Sequence, residues 1–242
     1  MKTALITGSA KRLGLKIAKV LHKNKFNIII HYLSSEKEAK NLIAKFNAKR
    51  ENSAFGLQAD LSNIAEITKF TNNIISSFSN LDLLINNASV FYPTFLDDID
   101  IIDWQKIINT NLRAPFFLIK NLAPLLKKSQ GSIINITDIY ATKPLKNYPI
   151  YSISKAGLKM LTKNLALELA PDIRVNSIAP GAILWHKNIN NVNDKKNLIS
   201  KIPLNRKGSK KDIINAIMYL LTAKYVTGQT ITIDGGRIIN LT

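Results

Sequence analysis

The sequence predicts an α/β fold: a single doubly wound parallel β-sheet of about seven strands, with helices on both faces. Two observations carry this prediction. Short apolar runs alternate with amphipathic helical stretches from one end of the chain to the other. The strand-like runs are apolar throughout, as strands covered on both faces must be. No Gly/Ser linker, repeat or shift of composition divides the chain, so one domain over residues 1–242 is expected.

The elements follow in order. Thr3 to Thr7 reads as the first strand, and Leu13 to His22 as a helix with Leu13, Ile17, Val20 and Leu21 on one face. Asn27 to Tyr32, rich in Ile, is the second strand, followed by a charged helix from Glu36 to Lys49. Ser53 to Ala59 is the third strand and Ile64 to Phe78 the next helix; Leu81 to Ile85 is a fourth, fully apolar strand. A long helical stretch through Ile101 to Lys128 is interrupted around Pro115, whose ring and missing N–H disturb a helix interior. Ser132 to Thr137 is the fifth strand, and Tyr151 to Leu169 a helix. The strand Arg174 to Ile178, the helix Lys210 to Leu221 and the strand Thr230 to Ile233 complete the set. Right-handed crossovers then put the ligand site at the carboxyl ends of the strands. The polar segment 184–206, rich in Asn and Lys, breaks this rhythm just after Pro180-Gly181. It reads either as a substrate lid or as an ordinary surface loop.

Composition narrows the chemistry. The absence of cysteine excludes disulfides, thiolate catalysis and Cys-based zinc sites. Three scattered histidines, His22, His31 and His186, make no metal cluster, so no metal is expected. No apolar run approaches the roughly 18 residues that span a bilayer, and the first residues carry no signal pattern. A cytoplasmic protein without a membrane partner is expected. The net charge of +18 raises nucleic-acid binding as an alternative. However, 28 of the 34 basic residues are Lys, spread along helix faces in runs no longer than pairs such as Lys127-Lys128. Arg, the better residue for bidentate phosphate contacts, is scarce, and no nucleic-acid partner is expected.

The first strand runs into Thr7-Gly8-Ser9-Ala10-Lys11-Arg12-Leu13-Gly14 and then a helix. A glycine turn there lets backbone N–H groups at the helix start face a pyrophosphate, as in Rossmann-type folds. Alternatively, Gly8 and Gly14 serve only a tight turn and helix packing. The second strand ends His31-Tyr32-Leu33-Ser34-Ser35, with no carboxylate at its tip to hold ribose hydroxyls. Lys11, Arg12, Ser34 and Ser35 instead suit a ribose 2′-phosphate, so NADPH/NADP+ is expected over NADH. Asp60, before Leu61, is placed to bond the adenine. Further along, Tyr151-Ser152-Ile153-Ser154-Lys155 sets a phenol and an ammonium four residues apart on one helix face. A cation beside a tyrosine is expected to lower its pKa and suit it to pass a proton to an atom that has just received hydride.

With these motifs in order, joined by Asn86-Asn87-Ala88, Asn111, Pro180-Gly181 and Asp234-Gly235-Gly236, the chain resembles the short-chain dehydrogenase/reductase family along its whole length. The resemblance implies Tyr151 as proton donor and Lys155 as the residue that holds the nicotinamide ribose. It implies Asn111 as the residue that positions a relay water, and Asn87, Ala88, Pro180 and Gly181 as cofactor contacts. It also implies a homotetramer, and the near-apolar run from Val226 to Leu241 is consistent with burial against a neighbour. Where most members carry a serine after the fifth strand, this chain has Asp138; Arg12 stands where a glycine is usual. With the run Asn87-Ala88-Ser89-Val90-Phe91-Tyr92-Pro93, these departures resemble the pteridine reductases and dihydromonapterin/dihydrofolate-type reductases. Ser34 departs from that group, which tends to carry an arginine there for the 2′-phosphate.

That likeness implies reduction of a C=N bond in a reduced pterin or folate-type substrate. Asp138 and Tyr151 would then relay protons, Phe91 stack the flat ring, and Ser89 and Arg12 hold its polar edges. The other readings are that Asp138 only caps the turn, that Phe91 is a core aromatic, and that Ser89 and Tyr92 shape the loop. Trp185 either walls the substrate pocket or pins the lid. Two further functions compete: reduction of a carbonyl such as a 3-oxoacyl thioester or small ketone, and non-catalytic binding of a cofactor or nucleic acid.

Overall fold

The computed structural model describes residues 1–184 and 191–240. Its sheet comprises β1 (Thr3–Ile6), β2 (Asn27–Tyr32), β3 (Ala54–Gln58), β4 (Leu83–Asn86), β5 (Ser132–Ile136), β6 (Arg174–Pro180) and β7 (Thr230–Ile233). Their order is β3-β2-β1-β4-β5-β6-β7, and every pairing is parallel. The helices are α1 (Arg12–Lys23), α2 (Glu36–Asn47), α3 (Ile64–Ser77), α4 (Ile101–Ile108), α5 (Ala114–Lys128), α6 (Pro149–Glu168), α7 (Val192–Ser200) and α8 (Lys210–Thr222).

Successive strand residues feed opposite cores, because side chains alternate across a strand. Ala4 and Ile6 of β1, with Ile28 and Ile30 of β2, pack under Ile17 and Leu21 of α1, Leu42 of α2 and Ile217 of α8. Leu5 and Ile29 point the other way, to Ile67 and Ile74 of α3 and Leu118 and Leu122 of α5. The uninterrupted apolar strands are thus explained by helices on both faces.

Two expectations about helices need correction. The long helix breaks at a π-helical segment, Asn109–Arg113, ahead of Pro115. Pro115 itself sits in the first turn of α5, where its missing N–H costs nothing. The segment 184–206 is no plain loop, for it carries α7, whose start is capped by Asn191 accepting from the Asp194 N–H at 2.7 Å. Trp185 and His186 lie outside the described residues.

Among the described residues, no helix is long and apolar enough to cross a membrane, and no cluster of His, Asp or Glu could hold a metal. The sheet order turns back between β1 and β4, opening a crevice at the carboxyl ends of these two strands.

Candidate active site

The glycine turn fills one side of that crevice. Gly8 has φ +63, the left-handed region that glycine enters freely. At Gly14 a Cβ would lie 2.3 Å from the Gly8 carbonyl oxygen and 2.8 Å from Asn87 Nδ2, so the helix approaches the turn more closely than any side chain allows. Thr7, absent from the sequence-based site, ties this turn to the end of β4. Its buried Oγ1 accepts from the Asn87 and Ala88 N–H groups at 2.8 and 2.9 Å. Asn87 returns the bond by donating to the Thr7 carbonyl at 2.8 Å.

His31, expected among the cofactor contacts, lies beneath the turn with both ring nitrogens engaged. Nδ1 accepts from the Gly8 N–H at 2.9 Å, which leaves the proton on Nε2, 3.0 Å from the Ala59 carbonyl. It therefore shapes the turn from below. Burial pushes its pKa down to about 4. Unfolded histidine takes up its proton near pH 6.5, so the fold loses stability as pH falls from there towards 4. Lowering pH from 7 to 5 should remove about 2 kcal/mol through this group alone. Urea unfolding at both pH values measures it, and the non-titrating His31→Asn should lack that step.

At the tip of β2, Lys11 and Arg12 are exposed, as are Leu33 and Ser34, while Tyr32 and Ser35 are half-buried. No carboxylate sits at the strand tip, yet one arrives from α2: Glu38 lies 2.9 Å from Lys11 Nζ. Lys11 is thus partly compensated, which its place in sequence did not reveal. Arg12 has φ +53, an uncommon conformation for a side chain of this size. Asp60 accepts from the Ser62 N–H at 2.8 Å, and Leu61 beside it is buried.

The other side of the crevice carries the reactive groups. Pro149 opens α6, and Tyr151 and Lys155 lie one turn apart on its buried face. Tyr151 Oη donates to Asp138 Oδ2 at 2.8 Å, while Asp138 Oδ1 accepts from the Tyr140 N–H at 3.0 Å. Asp138 therefore caps the turn Ile139–Ala141 and also touches the phenol.

The pKa pattern differs from the expected one. Lys155 Nζ lies 5.7 Å from the centre of the Tyr151 ring and donates to the Ile136 carbonyl at 2.9 Å. Burial and the Asp138 carboxylate raise the Tyr151 pKa well above 10, so the phenol keeps its proton. Burial lowers Lys155 to about 8, against the pull of Asp138. Burial also raises Asp138, opposed by the Tyr140 N–H, Tyr151, Lys155 and Arg237.

Asn111 lies in the π-helical segment, buried, with all four side-chain valences used. Oδ1 accepts from Ser89 Oγ at 3.2 Å and the Val90 N–H at 2.8 Å, and Nδ2 donates to the Val90 carbonyl and Ser154 Oγ. Any water it positions must therefore meet its main chain. Ser89 is exposed at the crevice edge. Phe91 stacks on Tyr148 at 4.5 Å and meets Tyr151 edge-on at 4.6 Å, so it packs in a cluster that also borders the phenol. Pro180, the last residue of β6, and Gly181 just beyond it are half-buried; a Cβ at Gly181 would press on Asp234 at 2.6 Å.

A buried tyrosine and lysine one helical turn apart, facing a glycine turn across a switch point, form the arrangement of a nicotinamide-dependent reductase. The model of the Enoyl-(Acyl carrier protein) reductase family matches residues 8–237. The chain belongs to the short-chain dehydrogenase/reductase family. The 3-oxoacyl-acyl-carrier-protein reductase FabG of Buchnera aphidicola is 36% identical over 241 residues, covering 97% of this chain and 96% of that protein. FabG of Staphylococcus epidermidis is 34% identical over 241 residues (97% and 98% covered). Pteridine reductase 1 of Leishmania tarentolae is also 34% identical, over 275 aligned residues (96% and 95% covered). The 3-oxoacyl reductases are the more numerous of these relatives, so the comparisons weigh towards the carbonyl reading and leave the pterin branch unconfirmed. The reductase is thus an NAD(P)-dependent oxidoreductase; its substrate is a separate question.

Proposed function

We propose that the reductase transfers hydride from NADPH to a C=N bond of a reduced pterin, on the strength of the Asp138 carboxylate held 2.8 Å from the Tyr151 hydroxyl. A carbonyl oxygen calls for hydrogen-bond donors, whereas the Asp138 carboxyl beside the phenol acts as an acceptor towards it. A dihydropterin presents ring N–H and amino groups, which a carboxylate suits. Tyr151, kept protonated by burial, supplies a proton to the nitrogen of the C=N bond as its carbon takes the hydride. Asp138 accepts from Tyr151 and aligns its hydroxyl. Lys155 holds the nicotinamide ribose, and the Asn111 main chain seats the relay water. Phe91 offers an apolar wall, with Ser89 and Arg12 at the polar edges; Trp185 belongs to the same pocket in this reading.

The glycine turn leads into α1, whose start has no side-chain cap, and the backbone N–H groups there fit a pyrophosphate. Lys11, Arg12, Ser34 and Ser35 fit a ribose phosphate, with Asp60 and Leu61 at the adenine and Pro180 and Gly181 at the nicotinamide end. NADPH supplies the hydride. Arg12 carries most of the phosphate selectivity, since Lys11 is paired with Glu38. Its left-handed backbone costs about 1 kcal/mol, a cost that phosphate binding explains. Arg12→Gly should therefore raise unfolding stability by about that amount while weakening NADPH binding relative to NADH. Denaturant unfolding and cofactor titration measure the two effects; equal loss of both cofactors would remove Arg12 from the 2′-phosphate.

A homotetramer and a cytoplasmic location complete this proposal. Ile108, Leu112, Phe116 and Leu161 line an apolar hollow of about 350 Å³ that subunit association would cover.

The second reading, reduction of a 3-oxoacyl thioester, is favoured by the number of FabG relatives. Purified protein offered 7,8-dihydropterin, dihydrofolate and acetoacetyl thioester with NADPH decides between them. Turnover of the pterin alone supports the proposal; turnover of the thioester alone replaces it with the second reading.

A further inference from the structure

The residue that caps onto Asp138, Tyr140, has a cation over its ring that no motif includes. Arg237 opens the 3₁₀ turn Arg237–Asn240, directly after Asp234-Gly235-Gly236. Asp234 holds this turn: its Oδ1 accepts from the Gly236 N–H at 2.9 Å and its Oδ2 from the Ile238 N–H at 2.6 Å. Gly235 and Gly236, at φ +68 and +86, make the reversal that sends Arg237 back towards the sheet. The guanidinium carbon then lies 5.6 Å from the centre of the Tyr140 ring, within cation–π range. Its Nε is buried with no hydrogen-bond partner among the described residues. Tyr140 in turn donates its backbone N–H to Asp138. A continuous line of contacts thus runs from the C-terminal turn through Tyr140 and Asp138 to the Tyr151 hydroxyl.

We propose that Arg237 is a positioning residue for Asp138. Its guanidinium, set over the Tyr140 ring, holds the turn Ile139–Ala141 so that Oδ2 faces Tyr151. The inference rests on the reading of Asp138 as catalytic. The groups acting on that carboxylate are Tyr140, Tyr151, Lys155 and Arg237. Lys155 already serves the Ile136 carbonyl. Desolvation pushes Asp138 towards its neutral form, and the Arg237 charge opposes it. A buried, unpartnered guanidinium nitrogen is costly to keep, and the carboxylate is what gains from it.

The test uses Arg237→Gln and Arg237→Lys in the full chain, with Asp138→Asn and the Arg237→Gln/Asp138→Asn pair. Two quantities are read: the carboxyl ¹³C titration of Asp138, assigned by its loss in Asp138→Asn, and kcat/KM against pH with NADPH. The substrate is 7,8-dihydropterin or acetoacetyl thioester, whichever the wild type reduces. In Arg237→Gln, the titration and the acid limb of kcat/KM should both move upward. Arg237→Lys should recover most of that shift, and Arg237→Gln should add no loss to Asp138→Asn. An unmoved Asp138 titration in a folded Arg237→Gln overturns the proposal, as does an equal loss with and without Asp138. If the titration moves but Asp138→Asn keeps full turnover, the catalytic reading of Asp138 is what fails.

Discussion

Tyr151→Phe should lower kcat by about 10²- to 10⁴-fold, the usual worth of a positioned proton donor. Stability should fall by about 1–3 kcal/mol, because the buried Asp138 Oδ2 loses the Tyr151 donor, while NADPH affinity should stay close to wild type. The phenol hydroxyl has a single partner among the described residues, Asp138, while the ring is held by Phe91 and its neighbours. Phenylalanine keeps that packing and removes only the proton. Because burial and Asp138 hold the phenol neutral, the loss should be similar from pH 6 to pH 9. Steady-state kinetics, thermal unfolding and cofactor titration together check it; a loss below tenfold would mean that the proton comes from another group.

Gly14→Ala acts at the opposite wall of the crevice. Its new methyl group would stand 2.3 Å from the Gly8 carbonyl oxygen and 2.9 Å from Ser9 Cα, both backbone atoms that cannot swing aside. The turn must open, at a cost of roughly 1–3 kcal/mol. Should the same distortion reach the pyrophosphate cradle, NADPH affinity falls about tenfold for each 1.4 kcal/mol lost there. Fluorescence titration with NADPH and thermal unfolding measure the two costs separately. Lost stability with wild-type affinity would make Gly14 a packing residue only.

Much of this architecture can be read from the chain before any coordinates. β2 ends where its apolar run ends, because a strand with a buried interior leaves few polar positions to blur its limits. α7 escapes notice because none of its residues is buried, so no apolar stripe marks it. At the site, the four-residue spacing of Tyr151 and Lys155 places them on one helix face, and the structure keeps them there. The contact between Asp138 and Tyr151 spans 13 residues and depends on how β5 meets α6, which spacing alone does not contain. The direction of the Tyr151 shift is hidden from the sequence for the same reason: sequence shows the neighbouring lysine, whereas burial and the facing carboxylate belong to the fold. His31 and Arg237 show the same limit. One looked like a cofactor contact and braces the turn from below; the other bore no motif and lies on the Tyr140 ring.

The central claim is that the carboxylate in place of serine sets the substrate. The most direct test is the ratio of kcat/KM for 7,8-dihydropterin to that for acetoacetyl thioester, in wild type and in Asp138→Ser. The pterin reading predicts a ratio that favours the pterin in wild type and falls by about tenfold or more in the variant, as expected when a buried polar partner is exchanged. A wild type that prefers the thioester, or a ratio that Asp138→Ser leaves unchanged, would contradict it.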